Sequence, residues 1–288
     1  MSEEKKVITG LSPSSFAEFT ACNRKWFFRK VAKTPIDSDA SEDYSAFNLG
    51  KAFHKALEDT KHNLEGYTHA QAVDVCAQFD VADEEDVLMI YAMLGRYKLL
   101  HAVENLEVIA CEVVINTPEF YGITDAVMRD KEGLLWIVDI KTAATFQSSL
   151  LSTAPSHPQL NLYAKYFDQI AYSVGLKDAP FGGIRLRTTT KSRLTKKPTE
   201  SATDFIARLS KSIKSSDIVV PRSELNVESI SEQHMAVYER TSKAQAGDLE
   251  KFAPNYGNCM SYFRPCNYFS QCNKRVFTAP SAVMFVEV

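Results

Sequence analysis

The sequence predicts an α/β fold in which helices flank a mixed sheet. Helical periodicity dominates the chain up to about residue 105, three adjacent strand-like runs follow, and a helix, a fourth strand and further helices complete the pattern. Strands and helices do not alternate regularly, which excludes a doubly wound βαβ repeat. We therefore expect a sheet built on consecutive strands and covered by helices.

The N-terminal part of the chain carries four helix signals. Ser12 is placed to cap the first helix, and Pro13 suits its first turn. Apolar residues recur at helical spacing over 44–63, which predicts a long helix there. Two further helices are predicted near 69–81 and 84–101.

The strand signals begin abruptly at residue 107. The runs LEVIACEVVI and EFYGITDAVM are rich in β-branched residues and predict a hairpin that turns near 116–119. The run LLWIVDI is almost continuously apolar, which indicates a buried central strand. The elements predicted after it are a helix over 158–174, a strand over 181–187, and helices near 200–215 and 225–246.

The composition is that of an ordinary globular protein. Of 288 residues, 45% are hydrophobic and 24% are charged, which excludes a disordered chain, a collagen-like fibre and a coiled-coil rod. The net charge of −3 means that any contact with nucleic acid needs a local basic patch. No apolar run approaches the roughly 18 residues that span a bilayer, and the N-terminus lacks the apolar stretch of a signal peptide. We therefore expect a cytoplasmic protein without a membrane partner.

Two aspartates and a lysine are the most informative residues. Asp139 and Lys141 end the apolar strand and, because side chains alternate along a strand, they point to the same face. Asp125 lies on the preceding strand, where a hairpin brings it beside Asp139. Adjacent carboxylates repel unless they are solvated, protonated or neutralised, and Mg²⁺ is typically held by one or two carboxylates. The group predicts a metal site beside a lysine, whereas D-x-K alone is equally typical of an exposed salt bridge.

Two helical motifs accompany this group. Gly50, His54 and Glu58 are four residues apart and form one stripe on a predicted helix. Gln159 and Tyr163 lie one turn apart on another. Taken alone, His54 is typical of a core histidine, and Gln159 and Tyr163 are typical of packing and capping residues.

In this order the motifs resemble those of the RecB-type branch of the PD-(D/E)XK nucleases. The matching residues are Gly50/His54/Glu58, Gly122–Asp125, Asp139–Ile140–Lys141 and Gln159–Leu160–x–x–Tyr163. The opening LSPSSFAEFTACNRKWFFRKV is similar to the N-terminal segment of that branch. The resemblance spans nearly the whole chain. It implies a single nuclease domain over 1–288 with a restriction-endonuclease-like core and a helical insertion over 64–105.

The same resemblance implies a metal site with a catalytic lysine. The ligands of Mg²⁺ or Mn²⁺ would be His54, Asp125, Asp139 and the backbone carbonyl of Ile140. Lys141 would orient the attacking water and stabilise charge on the scissile phosphate. Glu58 and Gln159 would hold waters, the lysine or the DNA backbone, and Tyr163 belongs to the same motif as Gln159. Phosphodiester cleavage needs a nucleophilic water and neutralisation of negative charge, both of which a bound metal supplies.

Four cysteines form a second candidate metal site. Cys259, Cys266 and Cys272 lie in an aromatic and turn-rich segment, and Cys22 is the candidate fourth ligand. This arrangement resembles the iron–sulfur subgroup of RecB-type nucleases, which includes AddB-type repair subunits and CRISPR-associated nucleases. We expect a [4Fe–4S] cluster that joins the segment 255–275 to Cys22, with a structural zinc ion or free buried thiols as the alternatives.

A basic segment predicts the contact with nucleic acid. Residues 185–197 carry six cations and no acid, with hydroxyl side chains between them. Such a segment suits sequence-independent contacts with phosphates, and a solvated hairpin face is the alternative. The predicted DNA contacts are Arg185, Arg187, Lys191, Arg193, Lys196 and Lys197.

The leading hypothesis is a metal-dependent DNA nuclease in a prokaryotic or viral setting. We expect an exonuclease of recombination, repair or viral DNA processing. The chain has no G-x4-GK[ST] motif, so a helicase or recombinase partner would be a separate protein. One alternative is a catalytically inactive nucleic-acid-binding module on the same fold, which the intact Asp125, Asp139 and Lys141 disfavour. A small-molecule metal phosphoesterase is the other.

Overall fold

A computed structural model describes residues 10–36, 45–145, 149–245, 247–261 and 264–273 of the chain. The chain divides into two units. The first comprises Met1–Gly10 and Asp43–Gln233, and the second comprises Leu11–Glu42 and His234–Val288. Within the described ranges, no helix is both long and apolar enough to cross a membrane.

Five strands of the first unit form a mixed sheet in which spatial order follows chain order. They are β1 (Glu107–Asn116), β2 (Tyr121–Arg129), β3 (Leu135–Ala143), β4 (Phe181–Thr190) and β5 (Ser215–Pro221). The β1–β2, β2–β3 and β4–β5 pairs are antiparallel, and β3–β4 is parallel. A parallel pair requires a crossover connection, which the helices between β3 and β4 supply.

The α-helices occur before, within and after the sheet in sequence. Those before it are α1 (Pro13–Ala21), α2 (Asn23–Lys30), α3 (Ser45–Asp59), α4 (His69–Ala77) and α5 (Glu84–Glu104). The crossover contains α6 (Ser149–Thr153), α7 (Pro158–Lys165) and α8 (Phe167–Ser173). The later elements are α9 (Ala202–Ser212), α10 (Val227–Thr241), the paired strands β6 (Met260–Ser261) and β7 (Arg264–Pro265), and α11 (Phe269–Asn273).

Four helices share a hydrophobic core with one face of the sheet. Buried side chains of α3, α4, α5 and α9 pack with Ala126 and Met128 of β2 and with Val138 and Ile140 of β3. The range 64–105, predicted as a helical insertion, contains α4 and α5, so these helices contribute to the main core of the first unit. This core holds α3 beside the C-terminal end of β3.

The helix α7 lies on the opposite face of the sheet. Along β3, Asp139 alternates with Val138 and Ile140, so its side chain points away from the core just described. Gln159 of α7 donates a hydrogen bond to Asp139 Oδ1 (2.9 Å). The C-terminal end of β3 is therefore flanked by α3 on one side and by α7 on the other.

The predicted α/β fold class is confirmed, and the differences concern individual elements. α3 ends at Asp59 because Lys61 and His62 adopt left-handed backbone conformations, with φ of 47° and 61°, which a right-handed helix does not accept. The helix predicted over 158–174 is interrupted at Tyr166. The strand β5 was not predicted, because its short run SSDIVVP has no strong pattern of its own and becomes a strand by pairing with β4.

The second unit has an aromatic core. Its members are Phe19, Trp26, Phe27, Phe28, Phe252 and Tyr268. Trp26 Nε1 donates to Ser15 Oγ (2.7 Å), so the polar group of the largest side chain is satisfied inside the core. Cys266 and Cys272 pack against this core, so two of the candidate cluster ligands lie on an ordered aromatic support.

Candidate active site

A cleft of about 630 Å³ opens in the first unit where α3 meets the C-terminal end of β3. It collects many of the side chains that the sequence singles out. Those that line it are Gly50, His54, Glu58, Asp125, Ile140, Lys141 and Lys191. Lys141 donates hydrogen bonds to Asp139 and Gln159, and Gln159 donates in turn to Tyr163.

Gly50 allows α3 to approach β3 closely. A Cβ atom at Gly50 would lie 3.1 Å from Thr142 Oγ1, which is tighter than most side-chain contacts. His54 and Glu58 follow Gly50 at intervals of four residues and line the same cleft. A small residue at position 50 therefore lets α3 bring its polar stripe to the end of β3.

Asp125 links α3 to β3. The last pair of the β2–β3 ladder at this end of the sheet is Ala126–Val138. Asp125 immediately precedes Ala126 in β2 and lies just beyond the ladder. Its Oδ2 accepts a hydrogen bond from the backbone N–H of Ile140 (2.5 Å), and its Oδ1 lies 3.2 Å from His54 Nδ1. Burial raises the pKa of Asp125, but the hydrogen bonds and charge of its partners outweigh burial and hold that pKa below its usual range. Asp125 is therefore ionised at neutral pH.

The interaction with Asp125 raises the pKa of His54. Burial lowers the pKa of its imidazole, but the hydrogen bond to Asp125 and the charge of that carboxylate outweigh burial and leave the pKa raised. The two side chains thus form a coupled pair at the cleft wall.

Asp139 is almost completely buried and pairs with Lys141. Lys141 Nζ lies 3.1 Å from Asp139 Oδ1 and 3.0 Å from Oδ2. The Oδ2 contact is at ion-pair distance only, since Oδ2 has no aligned hydrogen-bond donor among the described residues. Burial raises the pKa of Asp139 to about 6, against the opposing charge of Lys141. Burial lowers the pKa of Lys141, but the charges of Asp139 and Asp125 outweigh it and keep Lys141 protonated.

Gln159 and Tyr163 support this pair from α7. Lys141 Nζ donates to Gln159 Oε1 (3.0 Å), and Gln159 Nε2 donates to Tyr163 Oη (3.1 Å) as well as to Asp139. Tyr163 Oη donates in turn to the carbonyl of Ile123 on β2 (2.6 Å). One face of α7 therefore ties the lysine and its aspartate to the neighbouring strand.

Gly122 makes room for Tyr163. A Cβ atom at Gly122 would lie 2.9 Å from the Tyr163 ring and 2.7 Å from the Phe120 ring, distances that real Cβ atoms essentially never show. A glycine is therefore needed at position 122, because the Phe120 and Tyr163 rings occupy the space of a Cβ atom.

Glu112 is a third carboxylate at the cleft, which the sequence reasoning missed. It has a left-handed backbone conformation (φ 50°), which is uncommon for glutamate and interrupts the β1–β2 ladder opposite Asp125. Burial and the charges of Asp125 and Glu58 raise the pKa of Glu112. The available signal was the second of two acids in the run LEVIACEVVI, which the hairpin places opposite Asp125.

In the first unit Arg187 is buried and the side chain of Arg185 is 14% exposed, and both pair with carboxylates. Arg187 has no exposed side-chain surface, donates to Tyr97 Oη (2.7 Å) and pairs with Glu104. Arg185 Nε donates to Asp217 Oδ2 (2.6 Å). A guanidinium that is enclosed and neutralised by a carboxylate cannot reach a phosphate of DNA. Arg187 therefore does not fit the predicted contact with DNA, and the guanidinium of Arg185 is paired with Asp217.

The remaining cations of the basic segment differ in their surroundings. Lys191 lines the cleft, and Arg193 and Lys197 are exposed. Lys196 Nζ pairs with Glu84 at the start of α5 (3.1 Å). The segment therefore begins at the cleft and continues along the surface of the first unit.

The four candidate cluster cysteines all belong to the second unit. Burial raises the pKa of Cys259, and the charges of Cys272, Cys22 and Cys266 raise it further. The backbone N–H of Cys266 donates to the Cys259 carbonyl (2.8 Å). None of these four cysteines forms a disulfide, and among the described residues they are not grouped closely enough to form a complete metal site.

The residues at the cleft suit a hard divalent cation by their chemistry. Asp139 Oδ2 is buried without an aligned donor, and Asp125 is ionised within electrostatic reach of it. Carboxylate oxygens are the ligands that Mg²⁺ prefers. Across the described residues, no three His, Cys, Asp or Glu side chains lie close enough together to form a complete metal-binding site.

Comparison with known proteins identifies one family. A sequence model of the PD-(D/E)XK nuclease superfamily matches residues 10–273. Among solved structures, the crystal structure of SSO0001 matches with 17% sequence identity and a TM-score of 0.26, covering 77% of this chain and 85% of that chain. No curated protein matches the chain in sequence.

Proposed function

Because this chain belongs to the PD-(D/E)XK nuclease superfamily, we propose that it is a divalent-metal-dependent nuclease that hydrolyses phosphodiester bonds in DNA. The observation that carries the proposal is the group of Asp125, Asp139 and Lys141 at the end of β3. The two carboxylates can bind a cation, and the ammonium group of the lysine can pair with a phosphate. A module that only bound DNA would gain nothing from buried carboxylates, whose charge repels the backbone.

The proposed ligands of Mg²⁺ or Mn²⁺ are His54, Asp125, Asp139 and the carbonyl of Ile140. Bound there, the cation would supply a water of lowered pKa and neutralise charge on a phosphoryl oxygen. Lys141 is protonated and held beside Asp139, where its ammonium group can orient the attacking water and stabilise the charge that develops on the phosphate. Gln159 and Tyr163 keep this ammonium group in place, and Glu58 can hold a water at the cleft wall.

The test is a nuclease assay on end-labelled linear DNA and on covalently closed circles, with Mg²⁺ or Mn²⁺ added or chelated. We expect cleavage that requires the metal and that falls by roughly 10²- to 10³-fold or more in Asp139→Asn, because the lost charge acts on the transition state. The matched control is Asp74→Asn, which changes an exposed carboxylate of α4 outside the cleft and should retain activity.

Two outcomes would contradict this proposal. Cleavage without metal, or full activity in Asp139→Asn, would mean that the reaction occurs elsewhere. Binding of DNA without cleavage by the wild type would favour the inactive binding module instead.

The finer assignment to an exonuclease rests on the resemblance of the motifs to those of RecB-type nucleases. The same resemblance supports a role in recombination, repair or viral DNA processing. It also supports a helicase or recombinase partner that is a separate protein. Lys191 at the cleft and the exposed Arg193 and Lys197 favour sequence-independent contacts with phosphates. Closed circles of single-stranded and of duplex DNA decide between the two modes of cleavage, because an exonuclease leaves both intact and an endonuclease cuts at least one of them.

We also propose that Cys22, Cys259, Cys266 and Cys272 bind a [4Fe–4S] cluster, with a structural zinc ion as the alternative. The support is that all four belong to the second unit, where the charge of each of the other three acts on Cys259. Four neighbouring thiolates repel one another and suit a soft metal centre. Because Cys22 lies far from the other three in sequence, ligation would stabilise the folded state of this unit.

A further inference from the structure

Phe47 is an exposed aromatic residue in the wall of the cleft. Its side chain is 59% exposed, whereas Phe53 on the same helix is fully buried. Exposure on this scale costs the hydrophobic stabilisation that a phenylalanine normally contributes. Core packing therefore does not account for the aromatic side chain at this position.

The ring lies on the same stripe of α3 as the candidate catalytic residues. Gly50 and His54 follow Phe47 by three and seven residues, and these intervals bring side chains to one face of a helix. At a rise of about 1.5 Å per residue, Phe47 is about 10 Å from His54 along the helix axis. That distance allows Phe47 to contact a nucleotide that neighbours the scissile phosphate.

A cation accompanies the ring. Lys51 Nζ lies 4.3 Å from the centre of the Phe47 ring, and Lys51 also lines the cleft. An aromatic face beside an ammonium group matches the two parts of a nucleotide, since the base can stack and the phosphate can pair. An apolar protein partner would instead desolvate the ammonium groups of Lys51 and Lys191 without compensating them.

We propose that Phe47 and Lys51 form a subsite for an unpaired nucleotide, so that the enzyme acts on single-stranded DNA or on frayed ends. This proposal rests on the proposed nuclease function of the cleft. A base stacks on a protein ring only when one of its faces is open, and inside a duplex both faces are covered by neighbouring base pairs. An exposed ring beside the catalytic residues therefore selects for strands whose bases are free.

Binding measured separately from cleavage tests this subsite. Fluorescence anisotropy in the Asp139→Asn background compares a labelled single-stranded oligonucleotide with the blunt duplex of the same sequence. We expect Phe47→Ala to weaken single-strand binding by roughly 5- to 100-fold and to change duplex binding little. Phe47→Trp should restore single-strand binding, because stacking needs an aromatic ring and no particular one. Tyr172→Ala is the matched control, since Tyr172 is 74% exposed on α8 and does not line the cleft.

The outcomes separate this inference from the proposed function. Equal effects of Phe47→Ala on single strands and on duplexes, or no effect on either, would overturn the subsite. So would a failure of Phe47→Trp to restore binding while Phe47→Trp remains folded by circular dichroism. If the wild type cleaves no DNA but Phe47→Ala still selectively weakens single-strand binding, the subsite stands and the catalytic assignment fails.

Discussion

Gln159 determines how Lys141 and Asp139 face each other. Its amide oxygen accepts from Lys141 Nζ, and its amide nitrogen donates to Asp139 Oδ1 and to Tyr163 Oη. A side chain with only one kind of polar group could not make both contacts, because one partner is a cation and the other an anion. This explains at the level of single residues why an amide stands on α7 behind the catalytic pair.

The change Gln159→Leu should lower kcat by roughly 10- to 100-fold, the usual effect of removing a residue that orients catalytic groups or metal ligands. It should also raise the Mg²⁺ concentration needed for half-maximal activity, while the affinity for DNA stays near that of the wild type. Steady-state kinetics across a metal titration, with a binding assay beside it, measure these quantities.

The control for this change is Gln169→Leu, which replaces an exposed glutamine on α8. A loss confined to DNA affinity, with unchanged kcat and metal dependence, would show that Gln159 contacts the substrate and does not position Lys141.

The site depends on the close approach of two helices, α3 and α7, to strands of the sheet. Gly50 admits α3 to the end of β3, and Gly122 admits Tyr163 of α7 to β2. Both glycines have ordinary backbone conformations, so their role is the space that a missing Cβ leaves. The two helices could not otherwise bring their polar side chains to the same strand end.

The change Gly122→Ala should lower the free energy of unfolding by about 1–3 kcal/mol, because the added methyl group overlaps the Phe120 and Tyr163 rings. Displacement of Tyr163 should lower activity as well. Urea unfolding and the nuclease assay check the two effects.

Gly95→Ala is the matched control for this prediction. A Cβ atom there meets nothing within 4 Å, and Gly95 lies inside α5, so alanine should stabilise the protein by about 0.5–1 kcal/mol. Equal stability of Gly122→Ala and the wild type would show that the two rings can shift without cost.

A buried polar network connects α5, β4 and the segment after α3. His62 Nδ1 lies 2.7 Å from Tyr97 Oη, which accepts from Arg187, and Arg187 pairs with Glu104. Burial, reinforced by the charge of Arg187, lowers the pKa of His62 to about 3. The histidine is therefore neutral in the folded protein over the physiological range.

The depressed pKa of His62 predicts a loss of stability in acid. In the unfolded chain His62 titrates near its ordinary pKa of about 6.5, so its contribution is fully present above that pH and declines as the pH falls towards 3. The decline is at most about 1.4 kcal/mol per pH unit for this residue. Urea unfolding at several pH values in this window should show a shallower pH dependence for His62→Gln than for the wild type. An identical dependence in both proteins would rule out this contribution.

The proposed cysteine site makes a prediction about the stability of the second unit. Cys266→Ser should lose bound iron and sulfide and lower the melting temperature, because ligand binding that exists only in the folded state contributes to folding. Metal and sulfide analysis of anaerobically purified protein checks the prediction, and zinc in place of iron would establish the alternative metal. Cys111→Ser of β1 should keep its metal content. Unchanged metal in Cys266→Ser would exclude Cys266 as a ligand.

Local patterns indicated the fold class, and together with the resemblance to RecB-type nucleases they indicated the candidate catalytic group. Asp139 and Lys141 stand two residues apart on a strand, and His54 and Glu58 stand one helical turn apart, so backbone periodicity alone places each pair on one face. Glu112 and Phe47 escaped notice because neither has a spacing of its own. Glu112 is opposite Asp125 through the register of a hairpin, and Phe47 is distinguished only by being exposed.

Most residues of the candidate site follow from the amino-acid sequence, because covalent spacing and regular secondary structure already order them along strands and helices. Which cations remain free to contact phosphates depends on tertiary packing. In the sequence, Arg185 and Arg187 are cations of the same basic segment as Arg193 and Lys197. In the structure, Asp217 of β5 pairs with Arg185, and Glu104 of α5 pairs with Arg187. Burial depends on what packs against a side chain from distant parts of the chain, and no local pattern contains that information.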